Sequence, residues 1–148
     1  MRIGYVNSQG LSQHNWETVC GWVHRYELDL VFVAETWYVG WDSYSRAPET
    51  LAVTLLPMER SGARYGGGMC VVAAPAVAGR LVGTPTVSAS TITIRIGEWT
   101  ISGVYLPPTM PITAFQDRLQ EVADSDVVLG DLNVRLPSIL IGKVASKD

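Results

Sequence analysis

Leu30-Val31-Phe32-Val33-Ala34-Glu35 decides the reading of this chain. Five apolar residues in a row, mostly β-branched or aromatic, read as a strand buried on both faces. Such a strand needs a layer on each side, which points to an α/β architecture. The run closes on a carboxylate, Glu35.

Upstream, Arg2 to Asn7 reads as a short strand, followed by a polar turn containing glycine. Trp16, Val19, Cys20 and Val23 then recur at helical spacing, predicting a helix from about Asn15 to Glu27. Strand, helix and strand in this order predict a βαβ-like opening with a parallel pair.

Downstream, the segment from Thr36 to Ser61 is aromatic, polar and irregular, with an outer strand expected at Leu51 to Leu56. Gly66-Gly67-Gly68 opens a strand, Met69 to Ala73, and close backbone packing is the expected reason for the glycines. Thr91 to Ile96 alternates as a half-buried strand does, and Gly97-Glu98 turns it into a partner, Trp99 to Tyr105. Pro107-Pro108 ends that strand. Thr113 to Gln116 reads as a capping box opening a helix with Phe115, Leu119 and Val122 on one face. Val127-Val128-Leu129 reads as a buried strand that delivers Gly130-Asp131-Leu132-Asn133.

At 148 residues one domain, 1–148, is expected, with 47% hydrophobic and 17% charged residues, an ordinary globular balance. A net charge of −3 argues against a general polyanion-binding surface, although local basic clusters remain compatible with it. Nine of the basic residues are Arg, which a compositional bias explains better than phosphate recognition does. Cys20 and Cys70 fall in apolar patterns and read as buried free thiols of a reducing compartment. No apolar run is long enough to span a membrane, so no membrane partner and an intracellular location (cytoplasm or nucleus) are expected.

Asn7, Glu35, Tyr105, Asp131 and Asn133 stand at or next to the ends of predicted strands. Sites in α/β sheets are built at the carboxyl ends of strands. Asp131 and Asn133, two residues apart, are expected to point the same way. Asn7 and Glu35 offer oxygen donors suited to a hard cation such as Mg²⁺. Each has a plainer reading alone: Asn7 or Asp131 in a turn, Glu35 at a solvated strand end, Tyr105 as a rim aromatic. Their joint placement favours a site.

These segments resemble the endonuclease/exonuclease/phosphatase superfamily, and within it the apurinic-type endonuclease domain of non-LTR (LINE-like) retrotransposons. The resemblance rests on Tyr5-Val6-Asn7, Asp29 to Trp37, Gly66-Gly67-Gly68-Met69, Gly103-Val104-Tyr105-Leu106-Pro107-Pro108 and Val128 to Asn133, in the family's order. It covers essentially the whole chain and about the N-terminal two-thirds of a complete family domain. It implies a partial four-layer α/β sandwich, two β-sheets with outer helices, lacking the C-terminal strands of the family fold.

By the resemblance the chemistry is metal-dependent phosphodiester hydrolysis of DNA, with Mg²⁺ (or Mn²⁺) as cofactor. Glu35 is implied as the principal metal ligand, with Asn7 placing a phosphate or metal-bound group. Tyr105 is implied to orient the scissile phosphate, Asp131 to align or deprotonate the attacking water, and Asn133 to stabilise the phosphorane. Trp37, Tyr44, Arg46 and Arg64 mix aromatics with arginines, a pattern that stacks bases and grips phosphates, or else packs a surface loop.

The family's closing Ser-Asp-His segment has no counterpart here, and the histidines, His14 and His24, lie in the first loop and helix. Hydrolysis by the chain alone is therefore expected to be very slow or absent. The missing strands imply an open sheet edge, to be covered by a homodimer or by a partner chain completing the sandwich. Two readings stay open: an endonuclease-like enzyme, and a truncated, inactive nuclease-like protein that binds a protein or nucleic acid.

Overall fold

Residues 1–37, 52–56, 67–88 and 90–133 are described by the computed structural model. Eight strands and three helices run in the order β1 (Ile3–Asn7), α1 (Gln13–Arg25), β2 (Leu30–Ala34), β3 (Ala52–Leu56), β4 (Met69–Ala73), α2 (Pro75–Ala78), β5 (Thr86–Ser88), β6 (Thr91–Ile96), β7 (Trp99–Tyr105), α3 (Ile112–Glu121) and β8 (Val127–Asp131) among these residues. They form two four-stranded sheets, ordered β1-β2-β4-β3 and β5-β6-β7-β8. In each sheet the terminal pair, β1 with β2 and β7 with β8, is parallel, and the other pairings are antiparallel.

The alternation of side chains along each strand sorts the core into layers. Leu30, Phe32 and Ala34 of β2 and Met69, Val71 and Ala73 of β4 face Ile92, Ile94 and Ile96 of β6 between the sheets. The opposite face of the first sheet, with Val31, Val33, Cys70 and Val72, packs on Trp16, Val19, Cys20 and Val23 of α1. Beyond the second sheet, Val104 and Leu106 meet Val122 after α3, with Phe115 and Leu119 beside it. The result is helix, sheet, sheet, helix, the expected four-layer sandwich. Burying an aliphatic or Phe side chain contributes about 1.5–3 kcal/mol, while an exposed pair such as Arg2–Glu27 adds at most about 1 kcal/mol. The apolar layers, not the ion pairs, hold the fold.

Gly103 shows how closely the sheets approach. A Cβ there would lie 2.1 Å from the Phe32 ring, so the glycine makes room for the largest buried side chain of β2.

Three local expectations are corrected. α1 begins at Gln13, because Ser12 caps it by accepting the Asn15 N–H at 3.1 Å. α3 begins at Ile112 behind Pro111, so Thr113 lies inside the helix and the capping box does not form. β8 is not fully buried: Val128 is 44% exposed, because β8 is the last strand of its sheet among the described residues. The short α2 and β5 had no counterpart in the sequence reading.

Candidate active site

Four site residues stand at the carboxyl ends of the two parallel pairs. Asn7 ends β1, opposite Ala34 of β2, and Glu35 follows directly. Tyr105 ends β7, in register with Asp131, which ends β8. The two pairs belong to different sheets, and the side chains meet across the gap.

Glu35 is the hub. Its Oε1 accepts from Asn7 Nδ2 at 3.0 Å and from the Tyr105 hydroxyl at 2.5 Å. Asn7 Oδ1 takes the Gln9 N–H at 3.0 Å, so Asn7 here orients Glu35 through its amide nitrogen. Ser8 Oγ donates to the Ala34 and Glu35 carbonyls, fastening the loop after β1 to the end of β2.

The hub sits on strained backbone. Gln9, Glu35, Trp37 and Asn133 all have φ between 46° and 58°. Each such non-glycine residue costs about 1–3 kcal/mol, with Asn the most tolerant. The Asn7, Ser8 and Tyr105 bonds offset this cost at Glu35. Next to it, Thr36 and Trp37 donate backbone bonds to Gly68 and Gly67. Those glycines have φ of 80° and 88°, and a Cβ on Gly67 would meet open space. For Gly67 the reason is therefore backbone conformation, not the close packing expected from the sequence.

Asp131 lies near Tyr5 and Tyr105, while Asn133 falls after the strand, so the alternation expected to align the two does not apply. The strand ends at Asp131, and the chain turns back through the left-handed Asn133. Asn133 N–H donates to Asp131 Oδ1 at 3.0 Å, and Asn133 Nδ2 to the Leu106 carbonyl at 2.8 Å. Gly130 permits this approach, since a Cβ there would lie 2.0 Å from the Val104 carbonyl oxygen.

Tyr5 was not singled out from the sequence. Its hydroxyl donates to the Val104 carbonyl at 3.3 Å, and it stands near both Glu35 and Asp131. Alternation along β1, which places residues 5 and 7 on one face, was the signal available. Burial pushes the Tyr5 hydroxyl above the usual tyrosine range, and the charges of Asp131 and Glu35 add to this. Tyr105 is raised too, first by burial, then by its bond to Glu35 and the charges of Glu35 and Asp131. Both tyrosines are therefore neutral hydrogen-bond donors at pH 7.

Trp37 is 42% exposed, with its ring against Gly10. Tyr44, Arg46 and Arg64 lie outside the described residues. His14 and His24 are exposed on α1 and take no part in the cluster. No group of three or more His, Cys, Asp or Glu gathers among the described residues.

The chain superposes on a 3'-5' exonuclease, NExo, from Neisseria meningitidis with a TM-score of 0.60 and 14% identity, over 90% of this chain and 58% of the other. A 3' phosphatase NExo from Neisseria, bound to a product DNA hairpin, gives 0.62 and 13%, over 93% and 60%. An AP endonuclease from Archaeoglobus fulgidus gives 0.57 and 18%, over 94% and 60%. At 13–18% identity this likeness shows a shared fold. The chain spans only about three-fifths of the length of these structures. No family model and no curated protein sequence matches it. No helix among the described residues is long and apolar enough to cross a membrane.

Proposed function

We propose that the chain carries the N-terminal part of a metal-assisted phosphodiesterase site that acts on DNA. The observation that carries this reading is the convergence of Asn7, Glu35, Tyr105 and Asp131 from four strand ends in two sheets. Structural neighbours that process DNA support it, one of them bound to a DNA hairpin. The retrotransposon-type endonuclease is the proposed subtype, on the strength of Glu35-Thr36-Trp37 and Tyr105-Leu106-Pro107-Pro108.

Glu35 would hold Mg²⁺ or Mn²⁺, with Asn7 and Tyr105 fixing the carboxylate. When bound, the ion neutralises phosphate charge and eases departure of the leaving oxygen. Tyr105, kept protonated, is a neutral donor whose one hydroxyl hydrogen holds Glu35 and would turn to a phosphate oxygen placed beside it. Asp131, pinned through Oδ1 by the Asn133 N–H, aligns a water with its second oxygen and accepts its proton. The second amide hydrogen of Asn133 is available to the charge that builds on phosphorus. Trp37, exposed at the rim, offers a stacking surface to a base, and Tyr44, Arg46 and Arg64 are proposed to extend it.

The flank holding β1 and β8 is the proposed seat of whatever completes the sandwich. Among the described residues both are terminal strands of their sheets, and the exposed Val128 and Leu132 lie at this side. A cavity of about 160 Å³ between β1 and α1, lined by Val6, Val19 and Trp22, adjoins the edge. A second copy of the chain or a partner polypeptide is proposed there.

The second reading is a nuclease-like binding protein without turnover. Plasmid nicking with Mg²⁺ separates the two. Nicking that Glu35→Ala and Asp131→Ala both abolish supports the enzyme. A folded chain that binds DNA or a protein but never nicks, alone or with its partner, supports the binding protein.

A further inference from the structure

Tyr5 lies in the middle of β1, with its ring against the core between the sheets. Its hydroxyl reaches the Val104 carbonyl, and the Asp131 backbone amide faces the Tyr5 hydroxyl oxygen. Val104 directly precedes Tyr105 on β7. Two tyrosines thus cross the gap in opposite directions. Tyr5 reaches from the first sheet to β7 and β8, and Tyr105 reaches from the second sheet to Glu35. Glu35 and Asp131 belong to different sheets, so their separation depends on how these sheets are spaced at the site.

We propose that Tyr5 is a positioning residue, whose hydroxyl sets the spacing of β1 from β7 and β8 so that Tyr105 reaches Glu35 and Asp131 faces the same space. What the site does with that geometry rests on the phosphodiesterase reading; the geometry itself does not. At 3.3 Å the Tyr5 bond is long for an O–H donor, so the ring's packing shares the task. Tyr5→Phe separates the two contributions, because it keeps the ring and removes only the hydroxyl.

The test compares the full chain with its Tyr5→Phe variant by NMR and by Mg²⁺ titration calorimetry. The variant is expected to keep a folded spectrum, while the Asp131 amide and the Tyr105 hydroxyl proton shift or broaden. Its Mg²⁺ affinity is expected to fall about 10-fold, as for loss of a group that supports a ligand. Unchanged Asp131 and Tyr105 signals in a folded variant overturn the proposal. So does unchanged affinity where the wild type binds the ion. If the wild type binds no Mg²⁺, the phosphodiesterase reading fails, and the Tyr105 hydroxyl signal alone decides the positioning role. If Tyr5→Phe does not fold, the wild type decides: a nuclear Overhauser contact between the Tyr5 ring and the Asp131 amide is expected, and its absence overturns the proposal.

Discussion

Tyr105 donates its hydroxyl to Glu35 Oε1 at 2.5 Å across the gap between the two sheets. One bond therefore joins the end of β7 to the residue after β2 and fixes the carboxylate at the centre of the site. Hydrogen bonds to charged groups contribute about 1.5–3 kcal/mol. Tyr105→Phe is expected to lower unfolding free energy by about that amount in urea titration. An unchanged midpoint would show that the bond does not form in solution.

The close contact of β8 with β7 makes Gly130 a second point of sensitivity. Gly130→Ala places a methyl group against the Val104 carbonyl, and backbone cannot swing aside as a side chain can. A loss of about 1–3 kcal/mol is expected, as for overpacking, together with displacement of Asp131. Gly79→Ala serves as the control, since its Cβ meets nothing and its φ is −71°. Equal stability of the two variants would contradict the tight β7–β8 approach.

The two raised tyrosines give a definite pH dependence. Tyr5 and Tyr105 hold their protons more tightly folded than unfolded, where the ordinary value is 10.0. Their contribution is fully present below pH 10.0 and is lost as pH rises toward the folded values. Stability is thus expected to fall above pH 10.0. The fall should be shallower in Tyr5→Phe and Tyr105→Phe. Denaturant midpoints measured from neutral to alkaline pH check this; identical slopes in all three proteins would refute it.

Association through the open flank predicts concentration dependence. Val128 and Leu132 are 44% and 38% exposed at the outer strand, and a charge at such an edge blocks pairing. Val128→Lys is expected to abolish self-association in sedimentation experiments, with little loss of stability in the monomer. Monomeric wild type at every concentration would exclude the homodimer and leave a different partner polypeptide to cover the edge.

Much of this architecture was legible because the strands are short apolar runs with clear ends. Leu30 to Ala34 declared a doubly covered strand, and Asn7, Glu35, Tyr105 and Asp131 were found simply by standing where such runs stop. What failed depended on neighbours distant in sequence or on local backbone detail. Tyr5 acts through Val104, 99 residues away, and no local pattern carries that. The Val127-Val128-Leu129 run looked buried, but its exposure is set by what lies beyond β8. Asn133 turns onto the Leu106 carbonyl through a left-handed backbone, which alternation could not foresee. Thr113 fitted a capping box, yet Ile112 already begins the helix behind Pro111. β5 and α2, at three and four residues, are too short to show a period.

The central claim is that Glu35, held by Asn7 and Tyr105, forms the metal-holding part of a phosphodiesterase site. Isothermal titration of Mg²⁺ into the full chain and into Glu35→Gln tests it most directly. Wild type is expected to bind one ion, and Glu35→Gln, with the same fold by circular dichroism, to bind none. Equal binding by both, or no binding by the wild type, would contradict the claim.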